Sequence, residues 1–204
     1  MKYVLVILFF LKANLFAQNY STLEDSRDKK EYEIVLIGWK WWMAENLAYL
    51  PVVCSADNPD CSYWVYNYYG NDIEKAKETV FYKEYGCLYD YEAATNVCPQ
   101  GWHLSTDEDW QSLINYIRKK KEGTIYSDIS EKRIISVILN IKSIYGYKTL
   151  GGSFINAGFC SFFWTSTEAD ENHVFTRSFF SNKNKIQKTA NQKFSGFSVR
   201  CVKD

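Results

Sequence analysis

Hydrophobic positions along this chain first recur every second residue, then every three or four, then every second residue again. Tyr32-Glu-Ile-Val-Leu-Ile37 and Lys40-Trp-Trp-Met-Ala44 set β-branched and aromatic residues on either side of Gly38-Trp39. That pattern predicts two strands joined by a tight turn. From Leu50 to Asp72 the chain is rich in Pro, Asn, Asp and Tyr and reads as a long ordered loop. Tyr89-Asp-Tyr-Glu-Ala-Ala-Thr-Asn-Val-Cys98 has helical character and stops before Pro99 and Gly101. Ser105-Thr-Asp-Glu108 reads as a capping box that opens a second helix, with the Ser hydroxyl taking the N–H three residues on and Glu108 reaching back. Trp110, Leu113, Ile114 and Ile117 then make one apolar stripe, and the acids at its start and Arg118 to Lys121 at its end suit the helix dipole. Ile134, Val137, Ile138 and Ile141 repeat the spacing and predict a shorter third helix over 130–141. After Gly146 come turns at Gly151, Gly152 and Gly158, followed by strand-like runs at 162–167, 173–180, 185–190 and 196–202. Helices in the middle and strands toward the ends give an α+β pattern, and no internal repeat is visible.

The first residues read as an address rather than as structure. Met1-Lys2 precede nine apolar residues, Tyr3 to Leu11, and Leu15-Phe16-Ala17 precedes Gln18. This is the layout of a signal peptide over 1–17. The run is too short for a membrane span, which needs about 20 apolar residues. A buried N-terminal helix or an uncleaved anchor is the alternative. Residues 18–30 are polar without periodicity and read as a flexible lead-in, with the domain running over 31–204. Lys plus Arg and Asp plus Glu both number 24, so no net field draws the chain to nucleic acid. With 47% hydrophobic residues over 204 positions, one core can form without metal or partner. Seven Trp, 16 Tyr and 13 Phe against two His favour a stiff sheet-rich core or an aromatic binding face over a metalloenzyme, and nothing asks for a cofactor.

Export makes six cysteines a disulfide framework first. Cys54 and Cys61 bracket a turn-forming Ser-Ala-Asp-Asn-Pro-Asp and should bond. No Cys-x-x-Cys occurs, and His103 and His173 lie far apart in sequence, so zinc and thioredoxin-type chemistry lack their spacing. His103, just before a helix cap, reads as structural, and His173 stands near Asp170 and Glu171 as in an exposed turn. No nucleophile elbow, Walker loop or His-Glu-x-x-His motif is present.

Three stretches together resemble the Fibrobacter succinogenes major paralogous domain: Ile37 to Leu47, Tyr89 to Trp110 with its Cys-Pro-Gln-Gly-Trp-His-Leu block, and Gly196-Phe-Ser-Val-Arg-Cys-Val-Lys-Asp204. Phe163-Trp-Thr-Ser-Thr-Glu168 fits as well. Cys87 departs from the basic residue usual after Gly86, and Leu150-Gly-Gly152 lacks a preceding Pro. The family is in turn similar to the formylglycine-generating-enzyme branch of C-type-lectin-like folds, through Leu104-Ser-Thr-Asp-Glu-Asp-Trp110. That resemblance implies a single α+β domain in which Cys98 bonds Cys201, leaving Cys87 and Cys160 as a third pair. Oxidase chemistry of that branch uses a closely spaced Cys pair near the C-terminus, and here Cys201 stands alone, so a degenerate oxidase is the remote reading. The chain is expected to be non-catalytic, secreted, periplasmic or at the cell surface, and to bind a glycan or a cell-surface protein. Trp64, Tyr66, Tyr68 and Tyr69 are the candidate aromatic platform, with a small core under the loop as the alternative. Glu168, Asp170 and Asn172 offer oxygen atoms at turn spacing for calcium, with a solvated acidic turn as the alternative. A structural or protein-interaction module without small ligand is the other class.

Overall fold

The computed structural model describes residues 20–141 and 145–204. The predicted signal peptide, 1–17, lies outside the described residues. The lead-in does not stay flexible, because Tyr20–Glu24 forms β1 and pairs antiparallel with β2, Glu31–Ile37. Between them Asp25 takes the backbone N–H and the guanidinium of Arg27, which also donates to the Val97 carbonyl. A polar segment without periodicity is thus ordered by its hydrogen bonds, which an apolar pattern cannot reveal.

The predicted hairpin is present. β2 pairs with β3, Lys40–Met43, through the turn at Gly38 and Trp39, and Gly38 supplies the positive φ. β12, Cys201–Lys203, pairs with β3 and with β6, His103–Leu104, completing a five-stranded sheet in the order β1-β2-β3-β12-β6. A second sheet runs β11-β10-β9-β7-β8, built from Gln187–Gln192, His173–Phe180, Cys160–Glu168, Tyr145–Lys148 and Phe154–Ala157 in that order. All its pairings are antiparallel except β7 with β9. β4, Tyr63–Trp64, and β5, Leu88–Tyr89, form a two-stranded ribbon. Gly146 permits β7 its close approach: a Cβ there would stand 2.4 Å from the Ile155 carbonyl and 2.7 Å from the Tyr66 ring.

Among the described residues the helices are α1 Ile73–Glu78, α2 Val80–Tyr85, α3 Tyr91–Asn96, α4 Asp107–Lys121 and α5 Glu131–Ile138. The stripe Trp110, Leu113, Ile114 and Ile117 is buried as its spacing predicts. The cap sits one residue later than expected. Thr106 Oγ1 accepts from Asp109 N and Asp109 Oδ2 accepts from Thr106 N, while the Ser105 hydroxyl receives the Trp110 indole N–H. In α5 the buried face is Ile134, Ile135 and Ile138, with Val137 only half-buried.

β2 and β3 are covered on both faces. Tyr32, Ile34 and Met43 belong to one core with Leu47, Tyr89, Trp164 and Phe197, whereas Val35, Ile37 and Trp42 belong to another with α4 and α5. Trp42 meets Trp110 edge-on at 5.1 Å. The predicted strand over 196–202 is regular only at β12. Gly196, Phe197 and Ser198 thread between elements instead, bonding Lys148, Tyr89, Phe162 and Trp164 backbones in turn. Arg200 is fully buried there, donating to Asn46 Oδ1, Met43 O and Leu139 O.

Two expected disulfides are formed, Cys54–Cys61 and Cys98–Cys201. The third is not: Cys87 and Cys160 are buried free thiols. Cys87 lies among Tyr32, Tyr82 and Tyr89, while Cys160 lies by Asn156, Tyr66 and Tyr147. Pairing by leftover number carried no geometric constraint. Burial pushes the Cys87 thiol up to about 12 and the Cys160 thiol up to about 11, so both remain protonated and unreactive at neutral pH.

Candidate functional site

The aromatic loop is mostly core. Trp64 is 1% exposed and Tyr66 9%, packed with Cys61 and Leu88 as a small cluster under the loop. Lys148 Nζ stands 4.1 Å over the Trp64 ring, closing the face a sugar would need. Tyr66 is wedged between Phe81 and Phe154, and burial holds its hydroxyl above the usual tyrosine range. Tyr68 is half-buried, with its hydroxyl donating to the Asp72 carbonyl. Tyr69 alone of the four is well exposed, at 58%. The loop is short of the alternating outward faces that a platform requires, because the β4–β5 pairing turns Trp64 inward.

The acidic turn after β9 is also committed. Glu168 pairs with Lys193 at 2.8 Å. Asp170 Oδ1 accepts from the backbone of Asn172 and His173 and lies 2.8 Å from His173 Nδ1. The His173 hydrogen bond holds the Asp170 carboxyl below its ordinary value. Glu168, Asp170 and Asn172 thus shape a turn, and among the described residues no three His, Cys, Asp or Glu side chains gather to hold a metal ion. His103 lies 3.5 Å from the cap carboxylate Asp109.

What sequence reasoning missed is an open groove of about 310 Å³ lined by Tyr147, Thr149, His173, Asn191, Gln192 and Ser195, among others. Its parts come from the end of β7, the start of β10, the end of β11 and the turn that follows. Tyr147 is held edge-on by Phe162 at 4.9 Å and Phe197 at 5.5 Å, so its ring is fixed before any ligand arrives. Burial raises its hydroxyl pKa. Asn191, a lining residue, donates its amide to Thr176 and Thr189, and Gln192 is exposed. Lys193, bonded to Glu168 and to the Asn172 carbonyl, ties the β9–β10 turn to the β11–β12 connection. The only signal in the sequence was the cluster Ala-Asn-Gln-Lys-Phe-Ser over 190–195, which reads locally as a polar strand end.

A fixed aromatic edge beside amides, hydroxyls and an imidazole can hydrogen-bond a polyhydroxylated ligand. His173 faces Asp170, and Ser195 lines the same groove. No curated protein and no solved structure matches the chain. The family model for the Fibrobacter succinogenes major domain matches residues 35–203, which takes in the end of β2, the strands from β3 onward, the groove and both disulfides. The chain belongs to the Fibrobacter succinogenes major domain family.

Proposed function

We propose that this chain is a secreted, non-catalytic module that binds a glycan along the Tyr147–Gln192 groove. The groove itself carries the reading. It is concave, it has a pre-positioned ring with amide and hydroxyl groups converging beside it, and its floor rests on the second sheet. Loops on a rigid scaffold suit such a role. Export is supported by the two disulfides, which persist in oxidising compartments, and among the described residues no helix is long and apolar enough to cross a membrane. The proposed lectin-like fold agrees with the bond from the end of α3 to the last strand. An oxidase of the formylglycine-generating kind is disfavoured, since Cys201 is joined to Cys98 and supplies no free thiolate.

The test is titration of the chain from Gln18 to Asp204 against plant and bacterial polysaccharides, with calcium and then with chelator. Gln192→Ala with Ser195→Ala should weaken binding at least tenfold while leaving Tm within about 2 °C. Chelator should leave binding unchanged. No binding to any polysaccharide, or binding indifferent to the double substitution, would sink the reading. One observation favours a protein-interaction module instead: Trp39, at the tip of the β2–β3 hairpin, is 94% exposed. Retained glycan binding in Trp39→Ser separates the two.

A further inference from the structure

A different cavity, of about 140 Å³, opens between α4, α5 and the connection from β10 to β11. By the measure in which roughly 10–15 Å³ admits one water, it has room for a small polyatomic ion and its solvent. Arg118, Lys132, Arg177 and Lys185 line it, one from each of four elements, and Glu131 is the one acid among its lining residues. Glu131 is already shared, 3.4 Å from Arg118 Nε and 3.7 Å from Lys121 Nζ. Asp107, which holds Arg177, is likewise shared with Lys188, at 2.7 and 2.9 Å. Four cations and one carboxylate therefore line the cavity, and even with Asp107 set against Arg177 the lining keeps an excess of positive charge on a chain whose total is zero.

The donors are also incompletely used. Arg177, 4% exposed, spends Nε and Nη2 on Asp107, and Nη1 makes no hydrogen bond among the described residues. Lys132 reaches only the carbonyls of Phe180 and Lys183, and neither it nor Lys185 has a carboxylate within 4 Å among the described residues. Burial lowers the Lys132 pKa, which is the state of an ammonium that lacks a counter-charge. Guanidinium forks and ammonium groups facing a shared space are the donor set that carboxylate and sulfate recognition uses.

We propose that this cleft binds an oxyanion, a carboxylate or sulfate group, supplied either by an acidic polysaccharide or by a free ion. It is separate from the groove and stands whether or not the groove takes a neutral glycan. The test is calorimetric titration at low ionic strength with two probes, sodium sulfate and oligogalacturonate. Arg118→Ala with Lys185→Ala, both on exposed side chains, should weaken binding at least tenfold. Lys75→Ala with Lys203→Ala removes the same charge elsewhere and should change it less than twofold. Raising salt should weaken oligogalacturonate binding, as exposed charge pairs require. Oligogalacturonate bound much more tightly than sulfate makes the acidic chain the ligand, and comparable affinities make it the free ion; either supports the cleft. Failure of both probes to bind, or equal loss in the two double variants, overturns it.

Discussion

Arg200 shows how much one residue can carry in this molecule. Its guanidinium is fully buried and bonds Asn46 Oδ1 at 2.8 Å, Met43 O at 3.0 Å and Leu139 O at 2.8 Å, tying β3, the loop after it and the end of α5 to the last strand. A buried charge is often replaceable by an apolar side chain of similar volume without loss. Here two of the acceptors are backbone carbonyls that cannot be removed with it, so Arg200→Met leaves three buried acceptors without their donor. At about 1 kcal/mol or more each, the loss is on the order of 3 kcal/mol, and Tm should fall by roughly 6–12 °C for a domain of this size. A fall under about 2 °C by calorimetry would show that the acceptors find other partners. The sequence displayed Arg200 only as part of a Phe-Ser-Val-Arg-Cys-Val run. Its role was hidden because its partners lie 61 to 157 residues away. The same distance kept the sequence from choosing between a platform and a small core for Trp64 and Tyr66, whose burial depends on Lys148, Phe81 and Phe154.

Single elements were legible where local chemistry decides them. The β2–β3 hairpin, the α4 stripe and β10 follow from spacing, turn residues and β-branched content. The α4 cap was displaced by one residue because Ser105-Thr106 offers two adjacent hydroxyls, and the Trp110 indole takes the first. α1 and α2 went unread although Asp72 and Thr79 both cap, since six-residue helices have too few turns to show a stripe. β7 and β8 were hidden because each is only four residues long and Gly146 interrupts the first. The α4 cap also gives a pH dependence. Burial pushes the Asp109 carboxyl up, but the Lys40 ammonium and the bonds from Thr106 outweigh it and hold the carboxyl below its ordinary value. Its folded pKa is thus depressed, so the stability it contributes is full above the unfolded value and is lost as pH falls through the folded one. Asp25, held down by Arg27 against the effect of burial, has the same sign. Thermal stability should therefore drop from about pH 4 downward, and Asp109→Asn should flatten that acid limb while lowering Tm at pH 7. An identical acid limb in the variant would remove Asp109 from the account.

At the scale of the whole molecule, the two disulfides act on loops of very different size. Cys98–Cys201 closes a separation of 103 residues and Cys54–Cys61 one of 7. Chain entropy assigns them about 4–5 and about 2.5 kcal/mol, the larger value reduced where the fold restricts the unfolded chain by other means. Cys98→Ala with Cys201→Ala should therefore lower Tm several degrees more than Cys54→Ala with Cys61→Ala. The free thiols supply a second readout on the same samples. Cys87 and Cys160 lie in the core with raised pKa values, so a thiol reagent should find almost no reactive cysteine in the native protein and two per chain after denaturation without reductant. Zero thiols on denaturation would mean that Cys87 and Cys160 bond after all. Four thiols on denaturation would mean that one of the two bridges is open, and two in the folded state with two on denaturation would mean that Cys87 and Cys160 are reachable. Cys201 lies in the same core as Cys87 and Cys98 packs against it, so removal of the long bridge should also speed labelling of Cys87. Loss of the short one should leave Cys87 protected and loosen only the cluster around Trp64.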